Sequence, residues 1–170
     1  MKIIALCGES DSGKTSALKL LMATFVNDEE TKLLYCFYRQ KFLQIIDPAA
    51  PAWLTPWGNV HNVTAVFLWH GKQIVVTTVG DAPSQIRSAV LRASERAGID
   101  SSEIDAVVCA CHPCMRVETF FSDVQSEDVV KIPKQSVILS GSEKISSADS
   151  EAAENLLRQL EKTVLRGSNS

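Results

Sequence analysis

The eight residues GESDSGKT, at positions 8 to 15, constrain this chain more than any other stretch. Two glycines stand with four residues between them, and Lys14 and Thr15 follow the second glycine directly. The short apolar run KIIALC precedes this stretch, and KTSALKLLMATFV continues from it with apolar residues at helical spacing. The pattern therefore predicts a buried strand, a glycine-containing loop and a helix in direct succession.

A glycine-containing loop that leads into a helix favours the binding of an anion. Glycines remove side-chain bulk, so that backbone N–H groups converge on a phosphate, and the N-terminus of the following helix adds the positive end of its dipole. A triphosphate needs many such fixed donors and little steric bulk around it. We therefore predict that the phosphate site runs from the loop into the first turn of the helix: Gly8, Glu9, Ser10, Asp11, Ser12, Gly13, Lys14, Thr15 and Ser16.

Residues 1 to 26 resemble the opening strand–loop–helix unit of the P-loop NTPases, whose motif is G-x-x-x-x-G-K-[ST]. The resemblance is specific over this unit and only general over the rest of the chain. It implies that the ligand is a nucleoside triphosphate, that Lys14 reaches its β- and γ-phosphates, and that the Thr15 hydroxyl is a ligand of Mg²⁺. It also implies a parallel sheet with the nucleotide at the C-terminal ends of the strands.

Strand and helix patterns alternate along the 170 residues. They predict an α/β fold, with a mostly parallel sheet covered by helices on both faces, in a single domain over 1–170. Buried strands are expected at 2–7, 104–111 and 135–140, and helices at 14–26, 84–97 and 147–166.

Two further segments complete this outline. Residues 63–69 and 73–79 read as a hairpin that turns at His70-Gly71-Lys72, which predicts one antiparallel pair at the edge of the sheet. Residues 33–46 are compatible with a strand, a helix, or a strand followed by a helical turn.

Asp81 directly follows the apolar run IVVTTVG. P-loop NTPases usually carry an acid at the end of a second strand, close to Mg²⁺, so the resemblance implies that Asp81 holds the metal or orients the attacking water. The alternative is that Asp81 caps the helix that begins near Pro83, and the two roles are compatible.

ATP is the expected nucleotide, with GTP as the alternative. The hairpin before Asp81 is similar to that of the Ras-like GTPases, but the order Gly80-Asp81-Ala82-Pro83 lacks the glycine of their Asp-x-x-Gly switch. Their guanine-specifying Asn-Lys-x-Asp is missing as well, and SGSEK at 140–144 only faintly resembles their last base-contacting loop. GTP specificity is therefore unsupported by these motifs.

The cluster Cys109-Ala-Cys111-His112-Pro113-Cys114 allows three interpretations. Cys111 and Cys114 have the spacing of half a zinc site, or of a thioredoxin-type redox pair, but no second pair of ligands follows for zinc. The simplest interpretation is that Cys109 and Cys111 are small residues of a buried strand. We also expect all five cysteines to be thiols, since the chain reads as cytoplasmic.

Charge and hydropathy exclude some partners. The net charge is −3, with no basic block for nucleic acid, and no stretch approaches the length of a membrane span. The opening residues carry too short an apolar run for a signal peptide.

The function predicted from these observations is Mg²⁺-dependent binding and hydrolysis of ATP, in which Lys14 and Asp81 are catalytic and Thr15 and Asp81 hold the metal. One alternative is a small-molecule or nucleoside kinase, and another is a nucleotide-dependent switch with negligible turnover. A protein partner or an acceptor would lie at 47–62, where Trp53 and Trp57 stand, or at 112–134, where Arg116 stands.

Overall fold

A computed structural model describes residues 1–38, 41–43, 62–80, 82–134 and 147–165. Its strands and helices follow in this order: β1 (Lys2–Cys7), α1 (Lys14–Asn27), β2 (Thr31–Tyr38), β3 (Lys41–Leu43), β4 (Thr64–Trp69), β5 (Lys72–Thr77), α2 (Pro83–Ala97), β6 (Ala106–Cys111), β7 (Val129–Pro133) and α3 (Ser147–Leu160). A π-helical turn, Glu161–Leu165, continues α3.

The strands form one mixed sheet in the order β3-β2-β4-β5-β6-β1-β7. β1 lies between β6 and β7 and is parallel to both, and β5 is parallel to β6. β2, β3, β4 and β5 pair with antiparallel neighbours. The strand that leads into the glycine loop is therefore inside the parallel half of the sheet.

The apolar residues of β1 point alternately to two cores. Ile4 and Leu6 pack with α1 and α3 on one face, whereas Ile3 and Ala5 pack with α2 and with the segment that follows β6 on the other. A strand that is apolar on both faces reads as a continuous hydrophobic run, which is why KIIALC carries no alternation. The α/β class and a sheet covered on both faces are thus confirmed.

The hairpin of β4 and β5 is antiparallel as expected, and His70 and Gly71 make its turn with φ angles of 47° and 76°. It does not lie at the edge of the sheet, because β2 pairs with the outer side of β4. Phe67 and Val66 of β4 belong to the two opposite cores, and the backbone of β4 is paired on both of its sides, so β4 is an interior strand.

Other boundaries agree closely with the sequence patterns. α1, α2 and α3 begin within a residue of the expected positions, and Gly98, with φ 73°, ends α2. The undecided stretch 33–46 lies in the strand β2 and in the short β3 as far as the structure describes it. β7 was not expected, and the strand predicted at 135–140 lies outside the described residues.

Over the described part of the chain, we find no helix with the length and apolar character that a membrane crossing requires.

Candidate phosphate-binding site

The loop between β1 and α1 is tied to the sheet at its first residue. The Gly8 N–H donates to the Cys111 carbonyl at 3.1 Å, which extends the pairing of β1 and β6 by one bond. The Ser12 N–H donates back to the Glu9 carbonyl at 3.3 Å, so the loop turns tightly at once. The nine residues predicted for the site occupy this loop, 8–13, and the first turn of α1, 14–16, at the C-terminal end of β1.

Two loop residues adopt left-handed backbone conformations. Asp11 has φ 58°, and Gly13, the N-cap of α1, has φ 85°. Changes of backbone hand of this kind turn successive N–H groups toward one side, which is how anion-binding concavities are built. α1 begins directly at the end of the loop, where the first helical hydrogen bond, from the Ala17 N–H to the Gly13 carbonyl, measures 3.0 Å. The positive end of the helix dipole therefore lies beside the loop amides.

The Lys14 ammonium lies across the loop. Its Nζ donates to the carbonyl oxygens of Gly8 and Glu9, at 2.6 Å each, and is 3.4 Å from the Ser12 Oγ. These contacts hold a positive charge over the first turn of the loop, beside the N-terminus of α1.

A cavity of about 390 Å³ opens next to this ammonium. Its walls come from the loop, the start of α1, the segment before β4 and the C-terminal ends of β5 and β6: Ser10, Asp11, Lys14, Thr15, Asn62, Thr78, Gly80, Ala110 and His112. Four of the predicted site residues thus share one cavity. Ser12 is buried within the loop instead, while Glu9 lies on the exposed side.

The end of β5 is fixed by hydrogen bonds to Val63, the residue before β4, and by close packing against β6. The Thr78 Oγ1 accepts from the Val63 N–H at 2.8 Å, and the Thr78 N–H donates to the Val63 carbonyl at 2.8 Å. Gly80 lies so close to β6 that an added Cβ would stand 2.9 Å from the Ala110 carbonyl oxygen. This part of the cavity wall is therefore rigidly placed.

Asp81 itself lies outside the described residues, directly after Gly80. The N-cap position of α2 is Ala82, and the alternative role of Asp81 as a cap falls on a residue that the structure does not describe.

His112 was missed as a site residue because it has no ligand spacing in the sequence. It stands one residue beyond β6, lines the cavity, and its Nε2 is 2.9 Å from the Glu9 Oε2. The only available signal was its position directly after a strand that neighbours β1. That signal can be used only when the order of the strands in the sheet is known.

The segments proposed for an acceptor or partner are only partly described. Arg116 has a side chain that is 78% exposed and donates to Glu118 at 3.2 Å, so it is a surface residue and not a phosphate ligand in this conformation. Trp53 and Trp57, like the rest of 47–61, lie outside the described residues. Asn62, the last residue of that range, does line the cavity.

The expectation of five free thiols is wrong for two of them. Cys7 and Cys111 are joined as a disulfide, since they are paired positions at the ends of β1 and β6, with Cα atoms 4.8 Å apart. That separation is within the usual range for a disulfide. Cys111 therefore has a partner other than Cys114, and among the described residues no three His, Cys, Asp or Glu side chains group as metal ligands.

The remaining thiols differ in reactivity. Burial raises the pKa of Cys109 to about 12 and also raises the pKa of Cys36, whereas Cys114 is exposed. Since the thiolate is the reactive form, only Cys114 should react quickly with an aromatic disulfide reagent in the native protein.

Titration with that reagent should count one fast thiol in the native protein, three in denaturant without reductant, and five after reduction. Cys114→Ser should remove the fast reaction. Five reactive thiols in denaturant alone would show that Cys7 and Cys111 are not joined.

The chain matches no protein-family model, no curated protein and no solved structure.

Proposed function

We propose that this chain binds a nucleoside triphosphate together with Mg²⁺ through residues 8–16 and hydrolyses its terminal phosphate, with ATP as the nucleotide. The observation that carries the proposal is the coincidence of the motif with its required context. The G-x-x-x-x-G-K-T spacing joins a buried parallel strand to the N-terminus of a helix, and Lys14 lies across the loop.

The cavity beside the loop suits the phosphates of such a ligand. Its volume of about 390 Å³ falls within the range of small-molecule sites. The ammonium of Lys14 and the dipole of α1 supply positive potential, and Ser10 and Thr15 bring hydroxyl groups to the cavity wall. The loop amides would hold an anion of several charges as fixed donors, and Lys14 would join them by exchanging its carbonyl contacts for phosphate oxygens.

The donor set fits Mg²⁺. This ion keeps several waters and takes ligands from substrate phosphates, so the protein needs to supply only one or two oxygen donors. The Thr15 hydroxyl, at the start of α1, and the Asp81 carboxylate, which follows the cavity residue Gly80, would be these donors. When bound, the metal neutralises charge on the phosphate oxygens.

The chain's own groups would do the rest. Lys14 stabilises charge on the phosphoryl group that is transferred, and the loop amides hold the remaining phosphates in line. Gly80, the residue before Asp81, packs against Ala110 of β6, the strand that lies between β5 and β1. From the next position in the chain, the Asp81 carboxylate would orient the attacking water.

Asp81→Asn is expected to lower the rate of phosphate release from ATP by about 100-fold or more, since removal of a positioned acid–base group has effects of this size. Nucleotide affinity should change far less, because Lys14 and the loop amides are unaltered. Steady-state phosphate release and equilibrium nucleotide binding, measured on the same preparations, separate the two effects. Asp123→Asn, which removes the same charge from an exposed position, serves as the control.

Four outcomes of this assay have different meanings. Phosphate released to water supports hydrolysis, whereas label from the γ-phosphate that appears on a small molecule would favour the kinase. Tight binding with no release by either route would favour the nucleotide-dependent switch. Equal turnover in wild type and Asp81→Asn would contradict the role given to Asp81.

A further inference from the structure

A buried ion pair lies behind the loop, on the side away from the cavity residues named above. The Lys134 Nζ is 2.9 Å from the Asp149 Oδ1, and the two side chains are only 3% and 6% exposed. Lys134 directly follows β7, and Asp149 is in the first turn of α3. Since desolvating two charges is costly, a buried pair of this kind needs a reason beyond stability.

The pair contacts both glycines of the motif. An added Cβ at Gly8 would stand 2.6 Å from the Lys134 carbonyl oxygen, and an added Cβ at Gly13 would overlap the Asp149 Oδ1. The Lys134 N–H also donates to the Cys7 carbonyl at 2.7 Å. The space that side chains at these two glycines would need is thus occupied by Lys134 and Asp149.

The charge of Asp149 has a consequence for anion binding. Its carboxylate lies at Gly13, the N-cap of α1, where the helix dipole attracts negative charge. A carboxylate there would oppose a phosphate bound at the same helix end. The Lys134 ammonium, 2.9 Å away, cancels that charge.

We propose that Lys134 and Asp149 form a loop clamp, a pair of positioning residues whose shape fills the space beside the two glycines of the loop and whose opposite charges cancel there. Within it, Lys134 maintains polyphosphate affinity by neutralising Asp149. This inference rests on the proposed function and extends it to residues that follow β7 and begin α3, far from the motif in sequence.

Removing the positive charge of Lys134 and removing the negative charge of Asp149 should affect polyphosphate affinity differently if the charges matter, and equally if the pair has only a structural role. Lys134→Met removes the ammonium that faces the Asp149 carboxylate and should weaken binding of inorganic tripolyphosphate and of ATP, both with Mg²⁺, by about tenfold, the size of effect that a partly buried charge has at a helix end. Asp149→Asn keeps the shape and leaves the ammonium near α1, so affinity should stay equal or rise. Both variants should lower the melting temperature.

Calorimetric titration well below the melting temperature of each variant provides the affinities. The double variant Lys134→Met/Asp149→Asn should recover most of the affinity that Lys134→Met loses, and Lys134→Arg should keep it. Lys72→Met breaks an ion pair with Asp105 at the N-terminal ends of β5 and β6, away from the loop, and should leave the affinity unchanged. If Lys134→Met does not fold, Asp149→Asn still decides, because a tenfold loss of affinity there would overturn the clamp.

The two proposals fail in different ways. A wild-type protein that binds neither probe would overturn the proposed function and, with it, the clamp's role in affinity. Binding by wild type, with equal losses in Lys134→Met and Asp149→Asn, would leave the proposed function standing and overturn the clamp.

Discussion

Lys14→Ala is expected to abolish measurable nucleotide binding while the chain keeps its fold. The ammonium lies over the loop, where it contacts the carbonyl oxygens of Gly8 and Glu9, and it is the group that the motif directs to the β- and γ-phosphates. Hydrogen bonds to charged groups contribute about 1.5–3 kcal/mol each. The loss of one bond to the β-phosphate and one to the γ-phosphate would therefore weaken nucleotide binding by a factor of roughly one hundred or more.

Calorimetric titration with ATP and Mg²⁺ measures this loss, and circular dichroism together with the melting temperature reports the fold. Lys32→Ala removes the same charge from an exposed position on β2 and should bind as wild type does. Undiminished binding by a folded Lys14→Ala protein would contradict the site assigned to the loop.

Gly13→Ala should both destabilise the chain and abolish the site. Gly13 has φ 85°, and a left-handed backbone costs a residue with a Cβ roughly 1–2 kcal/mol. The new methyl group would also overlap the Asp149 carboxylate, which is held by Lys134 and has little room to move. We therefore expect the free energy of unfolding to fall by more than the backbone term alone, and the loop to lose the shape that converges its N–H groups.

Gly98→Ala is the matched control for that experiment. Gly98 has a similar φ of 73°, but no described atom lies within 4 Å of an added Cβ there. Chemical denaturation of both variants gives the two free energies, and their difference measures the contact with Asp149. Equal losses would show that Asp149 does not press against Gly13.

The elements that the sequence predicted well are those whose signals lie in consecutive residues. β1, the loop and α1 are consecutive, and each is encoded by its own residues: an apolar run, two glycines, and an apolar stripe at helical spacing. α2 was equally clear, because Gly98 ends it in the left-handed conformation that glycine favours.

What the sequence could not predict depends on contacts between distant segments. Cys7 and Cys111 are 104 positions apart, and only the register of β1 against β6 brings them together. The contact of His112 with Glu9 also depends on the pairing of β1 with β6. β7 is a short strand with one buried residue, Ile132, so it lacks the long apolar run by which the interior strands were recognised.

The most direct measurement of the central claim is the thermal unfolding of the wild-type protein with ATP, GTP and their diphosphates, each with and without Mg²⁺. A ligand that binds only the native state stabilises it by about 2.7 kcal/mol at a hundredfold excess over its dissociation constant. We predict a rise in melting temperature that requires Mg²⁺ and is larger for ATP than for GTP. An unchanged melting temperature with every nucleotide would contradict the proposal that residues 8–16 bind a nucleoside triphosphate.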